Sequence, residues 1–194
     1  MKKIFLILSL AAYVFAGTVF VKSDENTLKL KDAKVYFGSP AMVLKENSQS
    51  KIVKFEGYFD STNPNVLYAT KSFKLPLVES KNLTKNGEKA SIELELPNTN
   101  LTSDQALAWE DSGDIFYDKC TKCHGTHAPK EFDMLSWEGL YVSMKDRAQP
   151  TDNQEMQILR YLYAHENDGI LEEKYIFTVL LKLRMKYPKL NLYF

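Results

Sequence analysis

Cys120-Thr121-Lys122-Cys123-His124 is the stretch of this 194-residue chain whose residue types and spacing specify chemistry most directly. Cys-x-x-Cys-His is the attachment signature of c-type haem. Two thiols about one helical turn apart reach the two vinyl groups of the ring and form thioethers. The histidine after the second cysteine is then held under the ring, where a ring nitrogen ligates iron. These are the only two cysteines, so no other thiol competes for the assignment. Two other chemistries use the same residues. A redox disulfide needs a thioredoxin-like βαβ setting, and the segment before Cys120 reads as a helix with no apolar strand ahead of it. A zinc site needs four ligands. His124, His127 and His165 with the two cysteines supply enough, but His124 adjoining Cys123 crowds a tetrahedron. One covalently attached haem c is therefore the expected cofactor, with His124 its proximal axial ligand.

Iron held in this way needs a ligand on its other face unless the site is open. Met134, Met144, Met156 and Met185 follow His124 by 10, 20, 32 and 61 residues. Ten residues, several of them in a proline-containing loop, make a tight return around the ring edge. Met156 joins the apolar stripe of a helix and reads as core. Met144 has the span and is the expected distal ligand, against the plainer reading of a packing residue. His127 lies too near the motif to cross the ring, and His165 is the rival. A thioether ligand favours ferrous iron, so a His124/Met144 pair predicts a higher potential than a bis-histidine haem.

These groups must be positioned by helices. Asp111 or Ser112 can cap a helix running through Ile115, Phe116 and Tyr117 into the cysteines. Gly125 to Phe132 is a loop. Ser136 to Ala148, with Trp137, Leu140 and Met144, reads as a second helix stopped by Pro150. Thr151-Asp152-Asn153-Gln154 is a capping box. It opens a third helix carrying Met156, Leu159, Leu162 and Tyr163, closed by Gly169, which is expected to cross the first helix and enclose the haem.

The region before Pro97-Asn98-Thr99-Asn100 has a different period. Thr27–Lys31, Ala33–Phe37, Ala41–Leu44, Ile52–Phe59, Val66–Ala69, Ser72–Val78 and Ala90–Leu96 read as short strands. Gly38-Ser39-Pro40 and Asn63-Pro64-Asn65 mark turns or breaks. The last strand alternates Ile92, Leu94 and Leu96 against Ser91, Glu93 and Glu95. Tyr36, Phe55, Tyr58, Phe59, Tyr68 and Phe73 read as core rather than as a binding surface.

The N-terminus carries an address. Met1-Lys2-Lys3, the apolar run Ile4–Ala12 and Val14-Phe15-Ala16 form a secretory signal peptide. An uncleaved anchor is the alternative, although the run is short for a membrane span. Loss of Lys2 and Lys3 takes the chain from a formal charge of zero to about −2. That balance gives no footprint for nucleic acid. The expected compartment is the periplasm, where bacteria attach haem covalently. Residues 1–16 thus read as signal peptide, 17–100 as a β-domain, 101–169 as a haem domain and 170–194 as a tail. The tail is basic through Lys174, Lys182, Arg184, Lys186 and Lys189 and apolar around Ile176-Phe177 and Val179–Leu181. It reads as a helix packed on the β-domain, with docking to a reductase or weak contact with an anionic membrane as the alternative.

Two resemblances refine this. Gly38-x-Pro40-Ala41-x-Val43-Leu44 with Val53-Lys54-x-x-Gly57-Tyr58 resembles the first strands of bacterial Src-homology-3-like barrels. A helix that delivers Cys-x-x-Cys-His resembles the arrangement of cytochromes c. That likeness implies that Phe116 contacts the terminal helix, and it sets Gly113 one place from the family's helix-crossing glycine. It also implies that Pro129 offers a carbonyl to the free N–H of His124, fixing its tautomer. The expected fold is α+β, a small antiparallel β-barrel or sandwich followed by a helical class I-like cytochrome c domain.

The run Cys120-x-x-Cys123-His124-x-x-His127-x-Pro129-x-Glu131-Phe132, with Trp137, Met144-x-x-Arg147-Ala148 and Tyr161-Leu162-x-Ala164-His165, resembles the C-terminal haem domain of TorC-type cytochromes. These carry electrons to periplasmic molybdenum-containing trimethylamine N-oxide and dimethyl sulfoxide reductases. The resemblance implies Met144 as the distal ligand. It covers about 50 residues, and no further Cys-x-x-Cys-His is present to supply the family's membrane-anchored tetrahaem module. A stand-alone monohaem carrier is implied, fed by a membrane quinol-oxidising cytochrome and passing electrons to a reductase. It is read as an electron carrier and not an enzyme. The alternatives are a haem sensor or adaptor that binds a partner through the β-domain, and a peroxidase-like subunit with an open distal site.

Overall fold

The computed structural model describes residues 17–23 and 25–171. The signal-peptide segment and residues 172–194 of the tail lie outside the described residues.

Alternating apolar and polar residues build an antiparallel sheet of ten strands. These are β1 Thr18–Val21, β2 Thr27–Lys29, β3 Lys34–Tyr36, β4 Pro40–Glu46, β5 Ser50–Asp60, β6 Asn63–Tyr68, β7 Pro76–Glu79, β8 Thr84–Asn86, β9 Lys89–Pro97 and β10 Leu101–Thr102. Their order is β10-β1-β4-β5-β6-β7-β3-β2, and β9 pairs with both β5 and β8. The longest strand, β5, registers along nine residues of β9, from Ser50 opposite Pro97 to Tyr58 opposite Lys89. Period-two burial explains the register. Val53 and Phe55 are wholly buried opposite Leu94 and Ile92, while Glu93 and Glu95 point to solvent. Strands β1, β8 and β10 are too short to announce themselves by alternation. They are fixed by pairing with β4, β9 and β1 respectively.

Three helices follow. The first, α1, spans Gln105–Cys120; its cap is Asp104, whose carboxylate accepts from the backbone N–H groups of Ala106 and Leu107. It begins upstream of the expected Asp111 or Ser112, because Asp104 meets the two orphan donors and Ser112 is buried inside the helix. The second, α2, spans Met134–Ala148, capped by Asp133 and ended by Gln149 in the left-handed region. The third, α3, spans Asp152–His165, opened by the Thr151–Gln154 capping box.

The expectation of a helical class I-like cytochrome c domain after the barrel is overturned. The described chain is mostly antiparallel sheet, and its three short helices close their core only with side chains from the sheet region. Phe37 and Leu75 pack in one cluster with Trp109, Phe116, Trp137, Ile158 and Tyr161. The indole of Trp109 lies against Gly38, which takes a φ of +70° and leaves no room for a Cβ. Arg160 of α3 is buried. Its Nε and Nη2 donate to the Phe37 carbonyl at 3.2 and 2.7 Å, and its Nη1 donates to the carbonyl of Pro76. The guanidinium sits over the rings of Tyr36, Phe37 and Trp109. Burial pulls it down to about 9, so it stays charged at neutral pH. A helical period reports that a segment coils; it does not report what covers the apolar face. Of the tail, Ile170 and Leu171 pack against this same core.

Candidate haem-binding cleft

Cys120 is the last residue of α1, and Thr121 ends the helix. The Thr121 N–H and hydroxyl both donate to the Tyr117 carbonyl, at 3.1 and 2.6 Å. The chain then turns through Cys123 and His124, both exposed, into the loop. Neither cysteine is in a disulfide. Burial pushes the Cys120 thiol up to about 11, so it carries its proton at neutral pH. Nδ1 of His124 lies 2.6 Å from the carbonyl of Gly125. A carbonyl only accepts, so Nδ1 carries the proton and the lone pair sits on Nε2, which leaves that nitrogen able to ligate a metal.

Pro129 is buried in a short 3-10 turn, Pro129–Glu131. Its carbonyl accepts from the Trp137 indole at 2.6 Å, and not from His124, whose Nδ1 meets Gly125. The side chain of Glu131 tightens this turn. It accepts from the Ala128 N–H and from His127 Nδ1, each at 2.7 Å.

Cys120, Cys123, His124 and Met144 line one cleft. Its cavity volume is about 170 Å³ and it opens to solvent, smaller than the roughly 300–1,000 Å³ usual for small-molecule and cofactor sites. Helix α2 supplies one wall with a continuous face: Trp137, Leu140, Tyr141, Met144, Lys145 and Ala148. These recur at three- and four-residue steps, as one side of a helix must. Met144 is 38% exposed at the mouth. Phe116 of α1 and Ile158 and Leu162 of α3 form the floor, all three nearly inaccessible. Phe116 packs against α3, its ring 5.6 Å from that of Tyr161. At Gly113 a Cβ would stand 3.2 Å from the same tyrosine, so the glycine lets α1 and α3 approach. Lys119 donates to the Gln149 carbonyl at 3.4 Å, tying the end of α1 to the end of α2.

The rival ligand is placed elsewhere. His165 is buried between Tyr161 and Trp109, with ring centroids 4.1 and 5.5 Å away, and Nδ1 donates to the Tyr161 carbonyl at 2.8 Å. It does not line the cleft, nor do Met134 and Met156. Among the described residues, no group of three His, Cys, Asp or Glu side chains converges to hold a metal ion, so the cysteines and histidines do not gather as a zinc set. Nor is any described helix long and apolar enough to cross a membrane.

The arrangement suits a flat, largely apolar group tethered by two thiols, with a nitrogen and a sulfur donor on the walls. One polar atom inside it has no protein partner. Tyr141 is 93% buried, and its hydroxyl makes no hydrogen bond among the described residues. The sequence reading passed over Tyr141, although its place three residues before Met144 and four after Trp137 put it on the same face. No family model matches this chain, and no match was found among curated proteins or solved structures.

Proposed function

We propose that this protein is a monohaem c-type cytochrome carrying electrons outside the cytoplasmic membrane to a partner oxidoreductase. The observation that supports this reading is that Cys120, Cys123, His124 and Met144 all line one cleft. A bound haem supplies a one-electron ferric/ferrous couple. The chain's own residues do the rest. Cys120 and Cys123 tether the ring, and His124 offers the Nε2 lone pair. Met144 offers a soft thioether that favours the reduced state. Phe116, Trp137, Leu140, Ile158 and Leu162 keep water from the interior, so little solvent reorganises when the charge changes.

The resemblance to TorC-type cytochromes supports a molybdenum-containing N-oxide or S-oxide reductase as the acceptor and a membrane quinol-oxidising cytochrome as the donor. The test is expression in a bacterial periplasm together with haem-attachment machinery, followed by denaturation. Haem absorbance should stay with the unfolded polypeptide and be lost in the Cys120→Ala/Cys123→Ala variant. A polypeptide that carries no covalent haem under these conditions would sink the reading.

A further inference from the structure

We infer that the tail's apolar run, residues 176–181, covers the outward face of α2 and braces the wall of the cleft from behind. The inference stands apart from the cytochrome reading, since no step of it needs haem. Leu135 is 76% exposed and Val142 68%, the two most exposed large apolar side chains among the described residues. They stand seven places apart on α2, two turns along one side. Gly139 lies between them, with open space where a Cβ would be. This side is the reverse of the one that carries Trp137, Tyr141 and Met144 into the cleft. Single apolar side chains on a surface are ordinary, but two in line across a glycine form a shallow stripe of the kind that docks a partner.

The course of the chain selects the occupant. After α3 the N–H of Asn167 donates to the carbonyl of Phe132 at 3.4 Å, so the chain leaves the helices beside the start of α2. Ile170 and Leu171 then pack against the shared core. Ile176 follows Asn167 by nine places, a reach of up to about 30 Å, whereas Leu135 and Val142 lie only about 10 Å apart along the helix axis. The run supplies Ile176, Phe177, Val179, Leu180 and Leu181.

Charge follows the same plan. The exposed Asp133 and Asp146 bracket the stripe, and Lys174 and Lys182 bracket the run. The β-domain offers no comparable seat. Its exposed large apolar side chains among the described residues are Met42 of β4 and Phe73 of the β6–β7 loop, and Phe73 already packs edge-on to Tyr68.

Hydroxyl-radical labelling of the full chain tests this without a substitution. Leu107 of α1, 42% exposed, is an internal reference of the same residue type. A bare Leu135 would label faster than Leu107, and a covered one should label severalfold more slowly. In the tail variant Ile176→Ser/Phe177→Ser/Val179→Ser/Leu180→Ser/Leu181→Ser, Leu135 should overtake Leu107. Leu135→Gln in the full chain should lower the folding equilibrium constant about tenfold or more, as the loss of a buried leucine does. An exposed leucine would change it by less than about twofold.

A Leu135 that labels faster than Leu107 in the unsubstituted chain would overturn the inference. So would protection that survives in the tail variant, or that appears only with self-association in sedimentation, which would put a second copy on the stripe. If the tail variant does not fold, Leu135→Gln/Val142→Gln should raise the labelling of Phe177 severalfold. An unchanged Phe177 would equally overturn the inference.

Discussion

The indole N–H of Trp137 donates to the carbonyl oxygen of Pro129 across 2.6 Å, locking the loop after the cysteines onto the wall of the cleft. This bond is buried, so its loss leaves a carbonyl with neither protein nor water. Trp137→Phe keeps an aromatic ring in place and removes the donor. We expect a loss of about 1–3 kcal/mol of stability, measured as a lower urea midpoint with an unchanged slope. An equal midpoint would show that the loop does not need the bond.

Arg160 ties α3 to the sheet region through two backbone carbonyls. Arg160→Met retains much of the stem and leaves the carbonyls of Phe37 and Pro76 unpaired. Destabilisation by about 2–4 kcal/mol is expected. Arg160→Lys should recover only part of it, since an ammonium cannot span both carbonyls as a planar fork does. Thermal unfolding of the three proteins orders them.

Gly38 meets two demands together, a positive φ and direct contact with Trp109. Gly38→Ala adds left-handed strain of about 1 kcal/mol and an overlap that must displace the indole, about 1–3 kcal/mol more. The expected outcome is a lower melting temperature with a changed Trp fluorescence maximum. Gly87→Ala, with φ of +59° and open space around it, should show the strain alone.

Stability should depend on pH through His165. Histidine ordinarily titrates near 6.5, and burial pulls this one down to about 3. Between those values the unfolded chain binds a proton that the native chain refuses. The contribution is therefore whole above about pH 6.5 and shrinks as pH falls towards 3, by up to about 1.4 kcal/mol per unit. Unfolding midpoints measured from pH 7 to pH 4.5 should fall in step, and His165→Gln should flatten part of that slope.

On the proposed cytochrome reading, Met144→Ala should open the sixth position of the haem. The ferric sulfur band should vanish, the reduced protein should bind carbon monoxide, and the midpoint should fall by more than about 59 mV, tenfold in a one-electron equilibrium. His165→Gln should leave all three unchanged, because that imidazole is committed to the core. The opposite pattern would transfer the ligand role to His165.

Much of this was written in local sequence. The Thr151 capping box, the alternation of β9 and the turn at Gly38 each depend on residues a few places apart, and each stands where the spacing put it. Met144 was singled out from its distance along the chain and from the family resemblance, and its place with Trp137 on one helix followed from the helical pattern. What escaped was long-range. The Arg160 bonds join residues 123 and 84 positions apart, and no periodicity announces them. For that reason three helices read as a separate cytochrome domain, whereas they share their core with Phe37 and Leu75. The Asp104 cap was missed for a smaller reason, since it stands alone and the first apolar residues after it belong to a helix that starts earlier than the stripe nearest the cysteines.

Arg160 also joins distant parts of the chain. The carbonyls that receive it belong to Phe37 and Pro76, 123 and 84 residues before it. In the folded protein burial holds the Cys120 proton fast at neutral pH. An unfolded chain lacks that burial, so its Cys120 sulfur is more reactive than that of the folded protein.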